Sequence, residues 1–168
     1  AATVHALKGH QAVILPLIGR YGGHIIDTAG DGILAEFPSV IGAAECAVEI
    51  QTVMATRNEE VPEHRRMLFR IGINLGDVIH DETRIYGDGI NVAARLEGIA
   101  EPGGICLSRQ VFDQVNRALK ADFQALGPRT LKNIAQPVDV FAIAPSGRGA
   151  RPGATASNAV DLKQEIHF

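Results

Sequence analysis

Apolar residues recur every three or four positions over residues 3–21 and 40–54, which is the spacing of a helix that buries one face. The first stretch ends at a Gly-Gly pair, and the second follows Ser39, whose side chain can cap a helix N-terminus. Asp88 and Ser108 are capping residues of the same kind. The predicted helices cover residues 3–21, 40–54, 89–100 and 109–119.

Short β-prone runs lie between the predicted helices. Residues 24–28 and 33–37 flank an Asp-Gly turn and predict a β-hairpin with Asp31 at its tip. A nearly continuous apolar run over 67–75 predicts a central strand. Because strands outnumber helices and hairpins join some of them, we expect an α+β fold with helices packed on a mostly antiparallel sheet. The other predicted strands lie within 76–86, at 105–107, around Phe123 and at 138–143.

The composition changes abruptly near the C-terminus. Residues 145–159 contain only Pro, Ser, Gly, Arg, Ala, Thr and Asn, so this stretch predicts a flexible linker that cannot form a core. Residues 160–168 are either a tail docked on the preceding domain or the first turn of a further module, and the sequence does not choose between the two. The sequence therefore predicts one domain over residues 1–144, followed by a linker.

Composition and charge exclude several classes of protein. With 168 residues, 46% of them hydrophobic, the chain has room for one domain with a proper core. The net charge of -3 and the lack of a basic run argue against extended nucleic-acid binding. No apolar run approaches the roughly 20 residues of a membrane span. Cys46 and Cys106 lie in apolar patterns without metal-ligand spacing, which favours buried thiols in a reducing compartment, and we expect a cytoplasmic location.

Two features could carry chemistry. Asp31 lies between glycines, which suits an approachable Mg²⁺-phosphate ligand but also an ordinary tight turn. Asn91 and Arg95 are four residues apart and share a helix face, where a carboxamide and a guanidinium can steady a developing negative charge. The alternative is a solvated face on which Arg95 pairs with Glu97 or Glu101.

Several segments taken together resemble the class III adenylate/guanylate cyclase catalytic domain of bacteria. The resemblance covers roughly residues 3–144, and its most specific part is Asn-Val-Ala-Ala-Arg-Leu-Glu, residues 91–97. In chain order the segments are Thr28-Ala29-Gly30-Asp31-Gly32, Gly72-Ile73-Asn74-Leu75-Gly76-Asp77, residues 86–97, Pro102-Gly103-Gly104 and Leu131-Lys132-Asn133-Ile134.

The resemblance implies a ferredoxin-like core that acts as a head-to-tail homodimer and binds ATP or GTP between protomers. Members of the family hold two Mg²⁺ or Mn²⁺ ions on two Asp residues, and the ribose 3′-OH attacks the α-phosphate. By position, Asp31 matches a metal-binding Asp, Asn91 the residue that orients the ribose, and Arg95 the residue that stabilises the transition state. Lys132 matches a triphosphate contact, although a lone Lys between strands is also typical of a solvated surface.

The sequence also departs from the family pattern. The family's first strand, which carries the other metal-binding Asp, is expected before residue 1, so we expect an N-terminally incomplete catalytic domain. The two positions that usually read the base are Asp27 and Arg84, so the usual charges are exchanged and the base preference is open. Two hypotheses follow. The intact protein is a nucleotidyl cyclase coupled to a C-terminal module, or the domain is a degenerate one that only dimerises or senses a nucleotide.

Overall fold

The computed structural model describes residues 13–27, 33–75, 88–145 and 160–167. These residues form four helices and seven strands, with a short 3₁₀ helix at Glu63–Arg65. The helices are α1 at residues 13–20, α2 at Val40–Asn58, α3 at Asp88–Ile99 and α4 at Arg109–Val115. The strands are β1 at His24–Asp27, β2 at Ile33–Glu36, β3 at Met67–Asn74, β4 at Ile105–Ser108, β5 at Phe123–Arg129, β6 at Val138–Ile143 and β7 at Val160–His167.

All seven strands form one sheet in the order β1-β2-β7-β3-β4-β6-β5. The predicted hairpin β1–β2 is antiparallel, β3 is central, and β6 pairs antiparallel with both β4 and β5. Strand β3 runs parallel to β4 and to β7, and β7 also runs parallel to β2. The sheet is thus mixed, which refines the mostly antiparallel expectation. The β3–β4 pair is parallel because α3 forms the crossover between these strands.

Strand β7 is an interior strand of the sheet, next to the central strand β3. It pairs with β2 on one side and β3 on the other, so it joins the β1–β2 hairpin to the remaining strands. In this register Ile166 is level with Ala35 on β2 and with Ile73 on β3. In this segment the apolar residues Val160, Leu162 and Ile166 alternate with polar ones, and Gln164 interrupts the pattern.

One face of the sheet is covered by α1, α2 and α4. Ser39 caps α2 as predicted, since its Oγ accepts a hydrogen bond from the Gly42 amide at 3.2 Å. Cys46 on α2 is buried and unpaired, and burial raises the pKa of its thiol to about 12, with a smaller contribution from Glu49. The main core on this face includes Ile14, Ile18, Ile33, Ala35, Ala43, Ala47, Ile50, Met54, Phe69, Ile71, Ile73 and Leu107.

A buried amide side chain joins α2 to two strands. Gln51, 4% exposed, donates from Nε2 to the carbonyl oxygens of Phe69 at 3.0 Å and Gly104 at 2.9 Å. Both carbonyls also accept backbone hydrogen bonds, from Gly103 and Ile71 respectively. The Gln51 side chain therefore ties α2 to β3 and to the residue just before β4.

Helix α4 begins at the predicted residue, Arg109, but is shorter than the helix expected over 109–119. It ends at Val115, and the Val115 carbonyl accepts hydrogen bonds from the amides of Ala118 and Leu119, which close the chain into a turn. Ser108 precedes α4 but its side chain makes no capping hydrogen bond, so this detail of the prediction was wrong. The reason is that Ser108 is also the last residue of β4, held opposite Val140.

Candidate active site

Helix α3 packs against the opposite face of the sheet through its backbone. Gly72 on β3 alternates with Ile71 and Ile73, whose side chains enter the main core, so position 72 faces α3. A Cβ at position 72 would overlap the carbonyl oxygen of Ala93 and the amide nitrogen of Glu97. Glycine is therefore required there, and this contact fixes the height of residues 93–97 above the sheet.

A second, smaller apolar cluster holds α3 and the turn that follows β5. Leu96 on α3 and Leu131 in the turn are both buried in it, with Ile134 packed against them. Cys106 belongs to the same cluster, and burial raises the pKa of its thiol to about 11. Both cysteines are thus buried and unpaired, as predicted. The remaining buried members are Ala100 and Val140.

The packing of Leu131 near Leu96 brings two of the candidate residues together. The Nε of Arg95 donates a hydrogen bond to the backbone carbonyl oxygen of Lys132 at 3.1 Å. Lys132 is exposed and Arg95 is partly buried. The guanidinium of Arg95 thus contacts the backbone of a residue that carries an ammonium group, and two cationic residues in contact are suited to phosphate.

The acidic neighbours of Arg95 have different environments. The sequence left open that Arg95 pairs with Glu97 or Glu101, but its Nε donates to the Lys132 carbonyl. Glu97 is 4% exposed at the α3–β3 contact, whereas Glu101 is exposed. The Arg95–Lys132 contact thus anchors the guanidinium to the turn.

The other candidate residues lie partly or wholly outside the described region. Asp31 and Arg84 lie outside the described residues. The backbone of Asp27 ends β1 beside a register shift, and that of Asn91 is in α3, one turn before Arg95, but their side chains are not among those described. Of the six candidates, the described side chains are those of Arg95 and Lys132.

No group of three His, Cys, Asp or Glu side chains within the described ranges is placed to hold a metal ion. The carboxylate that the sequence assigns to a metal, Asp31, belongs to residues 28–32, outside those ranges. None of the described helices is long and apolar enough to cross a membrane.

Two features of the site were missed by reasoning from the sequence. Residue types do not indicate that the Lys132 carbonyl is the partner of Arg95, because every residue has a backbone carbonyl. The close approach of α3 at Gly72 has a weak signal, since a lone glycine inside a strand often marks close contact with another backbone. Gly72 interrupts the apolar run of β3 and is the residue that could have been flagged.

A comparison with known protein families identifies the family of the chain. The profile described as "Adenylate and Guanylate cyclase catalytic domain" matches residues 1–144. The chain belongs to this family. The resemblance inferred from the sequence is therefore confirmed, and the helices and the strands within residues 1–144 are those of a cyclase catalytic domain, whereas β7 lies beyond the matched residues.

Individual relatives agree with this assignment. The crystal structure of the adenylate/guanylate cyclase/hydrolase from Silicibacter pomeroyi superposes on this cyclase domain with a TM-score of 0.81, at 41% identity and 86% coverage of both chains. A guanylate cyclase domain from Catenaria anguillulae, solved with GTP, shares the fold with a TM-score of 0.59 at 19% identity, covering 83% of this chain and 81% of that chain.

One relative of this chain is much longer than the region that matches. A Rhizobium meliloti protein whose name assigns it to the adenylate cyclases is 39% identical over 142 residues, which cover 84% of this chain. The matched region is 24% of that protein, so the chain spans about a quarter of its length.

Proposed function

We propose that this cyclase domain converts ATP or GTP to a 3′,5′-cyclic nucleotide and pyrophosphate, at a site shared by two copies of the chain, for intracellular signalling. The observation that supports this most is the Arg95–Lys132 contact, which brings two cationic residues to one surface although 37 positions separate them. A triphosphate is the type of ligand that such a pair can bind.

The proposed role of Arg95 follows from its hydrogen bond. A guanidinium has five N–H donors, and the Lys132 carbonyl takes the one on Nε. The four donors on the two Nη atoms remain to stabilise charge that develops on the α-phosphate as pyrophosphate leaves. Because its Nε is held, the group loses little freedom when it binds the transition state.

Lys132 and Asn91 have the complementary roles. The exposed ammonium of Lys132 is a mobile point charge suited to the triphosphate in the ground state. Asn91, one helical turn before Arg95, is proposed to orient the ribose through its carboxamide. On this proposal Lys132 contributes to affinity, and Arg95 contributes to the rate of the chemical step.

Asp31 is the proposed ligand of Mg²⁺ or Mn²⁺ in this chain. A carboxylate oxygen is the kind of donor that both ions prefer. When bound, the divalent ions neutralise phosphate charge and favour ionisation of the 3′-hydroxyl. The chain's own residues then bind and orient the nucleotide.

The exchanged charges at Asp27 and Arg84 favour a second candidate function. Lys and Asp or Thr are usual at these positions in adenylate cyclases, so the adenine edge would meet unmatched donors and acceptors. A domain with this substitution pattern could bind a nucleotide or dimerise without turnover. The two candidate functions differ in whether any base supports product formation.

Turnover of ATP and of GTP with Mn²⁺ separates the candidates. The chain is compared with a longer version that includes the expected first strand, and product is measured by chromatography. We expect a cyclic nucleotide and pyrophosphate in equal amounts from the longer chain, and Arg95→Ala to lower kcat by about 100-fold. Arg109→Ala, which removes an exposed guanidinium paired with Asp113 and Asp139, is the matched control and should retain turnover.

Absence of product with either base, from a longer chain that is folded and dimeric, would refute the catalytic proposal and favour the noncatalytic one. The shared site is tested separately by mixing inactive Asp31→Ala and Arg95→Ala chains. If each site takes Asp31 from one protomer and Arg95 from the other, mixed dimers contain one intact site and regain part of the activity. Mixed dimers without activity would refute the shared site.

A further inference from the structure

The turn that presents Lys132 to Arg95 has an unusual backbone. Residues 131–134 form a tight turn closed by a hydrogen bond from the Ile134 amide to the Leu131 carbonyl at 3.1 Å. Asn133 has a φ of 64°, and it is the only residue other than glycine with a positive φ in the part of the chain that the structure describes. A negative φ at the second position and a positive φ at the third are the signature of a type II turn.

The type of turn decides where the Lys132 carbonyl points. Type I and type II turns differ in the peptide between the two central residues, which is rotated by roughly half a turn. In this turn that peptide carries the Lys132 carbonyl and the Asn133 amide. The carbonyl that accepts the hydrogen bond from Arg95 is therefore the group whose direction depends on the positive φ of Asn133.

The ends of the turn are fixed independently of Asn133. Leu131 is buried in the cluster that contains Leu96, and Ile134 packs against the same cluster. Asn133 is exposed. Substitution at position 133 therefore leaves the anchors of the turn in place while it changes the direction of one peptide group.

We propose that Asn133 is a positioning residue that holds Arg95 through the Lys132 carbonyl. Asn tolerates the left-handed conformation better than other residues with a side chain, and glycine adopts it freely. A β-branched residue disfavours it and returns the turn to type I. The inference rests on the proposed function of Arg95, whereas the hydrogen bond itself can be tested without activity.

The direct test observes the Nε–H group of Arg95 in ¹H–¹⁵N spectra, with Arg95→Lys used to assign its signal. In Asn133→Val we expect the signal to move towards that of a free arginine and its exchange with solvent to accelerate by about tenfold, because the acceptor is lost. Asn133→Gly should keep the original signal. Gly22→Ala, which strains another position of positive φ at the end of α1, should also keep it and controls for general destabilisation.

The functional test uses the longer chain and separates kcat from KM. Asn133→Val is expected to lower kcat by about tenfold with little change in KM, since a misplaced Arg95 affects the transition state more than the ground state. Asn133→Gly should restore kcat. In the Arg95→Ala background, Asn133→Val should have no further effect, because it acts through Arg95.

An unchanged Nε–H signal in Asn133→Val overturns the proposal whether or not the domain is active. A shifted signal with unchanged kcat in an active enzyme also overturns the positioning role. If Arg95→Ala retains full turnover, the proposed function of Arg95 fails instead, and the Nε–H signal still decides whether Asn133 holds the side chain.

Discussion

The two faces of the sheet are covered in different ways. On one face α1, α2 and α4 bury a large set of Ile, Leu, Val, Phe and Ala side chains against β2, β3 and β4. On the other, α3 is held by a cluster of five buried residues and by the backbone contact at Gly72. The candidate residues Asn91 and Arg95 belong to this second face. The comparison indicates that α2 mainly supplies stability, whereas the position of α3, and with it the candidate site, is set by close packing on β3, β4 and β7 that includes the backbone contact at Gly72.

We expect the largest effect from a substitution at Gly72, where α3 packs on the second face of the sheet. In Gly72→Ala the added methyl group meets the Ala93 carbonyl and the Glu97 amide, and backbone atoms of a helix cannot give way cheaply. We expect the free energy of unfolding to fall by about 4 kcal/mol and turnover to be lost. Urea unfolding and a cyclase assay measure the two effects.

Gly98 provides the matched control for that substitution. It belongs to the same helix, but a Cβ there meets nothing within 4 Å. Gly98→Ala should raise stability by about 0.5–1 kcal/mol through its helix propensity. Equal losses in both variants would show that α3 tolerates no change anywhere, and that the contact at Gly72 is not special.

A substitution at Gln51 tests the role of the face on which α2 packs. In Gln51→Leu the carbonyls of Phe69 and Gly104 lose a donor but keep their backbone hydrogen bonds, so we expect a loss of about 2 kcal/mol. KM for the nucleotide should not change at temperatures where the variant is folded. Gln114→Leu, at an exposed position on α4, is the control and should be nearly neutral. A changed KM in Gln51→Leu would contradict the division of roles between the faces.

Each face of the sheet contains one buried thiol, so the two faces can also be compared by the pH dependence of the free energy of unfolding. The folded-state pKa is about 12 for Cys46 and about 11 for Cys106, both above the unfolded value, so each thiol's contribution is fully present below about pH 8.5. Above that pH the unfolded state loses its protons first, and stability falls by up to about 1.4 kcal/mol per pH unit and thiol.

Cys46→Ala should therefore show a shallower loss of stability between pH 9 and pH 10 than the wild type. The cavity it leaves lowers stability equally at both pH values and cancels in the difference. Urea unfolding at pH 9 and at pH 10 measures the loss of stability between the two pH values. Identical slopes for the variant and the wild type would mean that Cys46 titrates normally in the folded protein.

The smallest effect is expected from the ion pair between Arg20 and Glu49. Its N–O distance is 3.4 Å and the Arg20 side chain is 66% exposed, so solvent weakens the attraction. Arg20→Ala should lower the free energy of unfolding by no more than about 0.5 kcal/mol. A loss above about 1 kcal/mol in thermal or urea unfolding would show that this edge of α2 matters more than its exposure indicates.

Much of the fold could be predicted because it follows from local patterns. Patterns only a few residues long predict the cap at Ser39, the hairpin at the Asp-Gly turn and strand β3. Ser108 has the same cap signal as Ser39, but its place at the end of β4 overrides it, and no local pattern contains that information. The resemblance to the cyclases identified the family and its candidate residues.

The arrangement of the site was less predictable. The contact between Arg95 and Lys132 depends on the packing of Leu131 near Leu96, and it uses a backbone atom that every residue has. The pairing of β7 between β2 and β3 is similar: the sequence left residues 160–168 as a docked tail or the start of a further module, and nothing in their pattern selects neighbouring strands.

The junction at Gln51 consists of uncharged groups only, an amide and two carbonyls buried from water. Dissolved ions screen charged groups near the surface but have little effect on a buried neutral hydrogen bond. The connection of α2 to β3 and β4 should therefore hold equally well at low and high ionic strength, while the Arg20–Glu49 attraction fades. A decrease in turnover in concentrated salt would then test the proposed phosphate binding by Arg95 and Lys132, while the packing of α2 on the sheet remains intact.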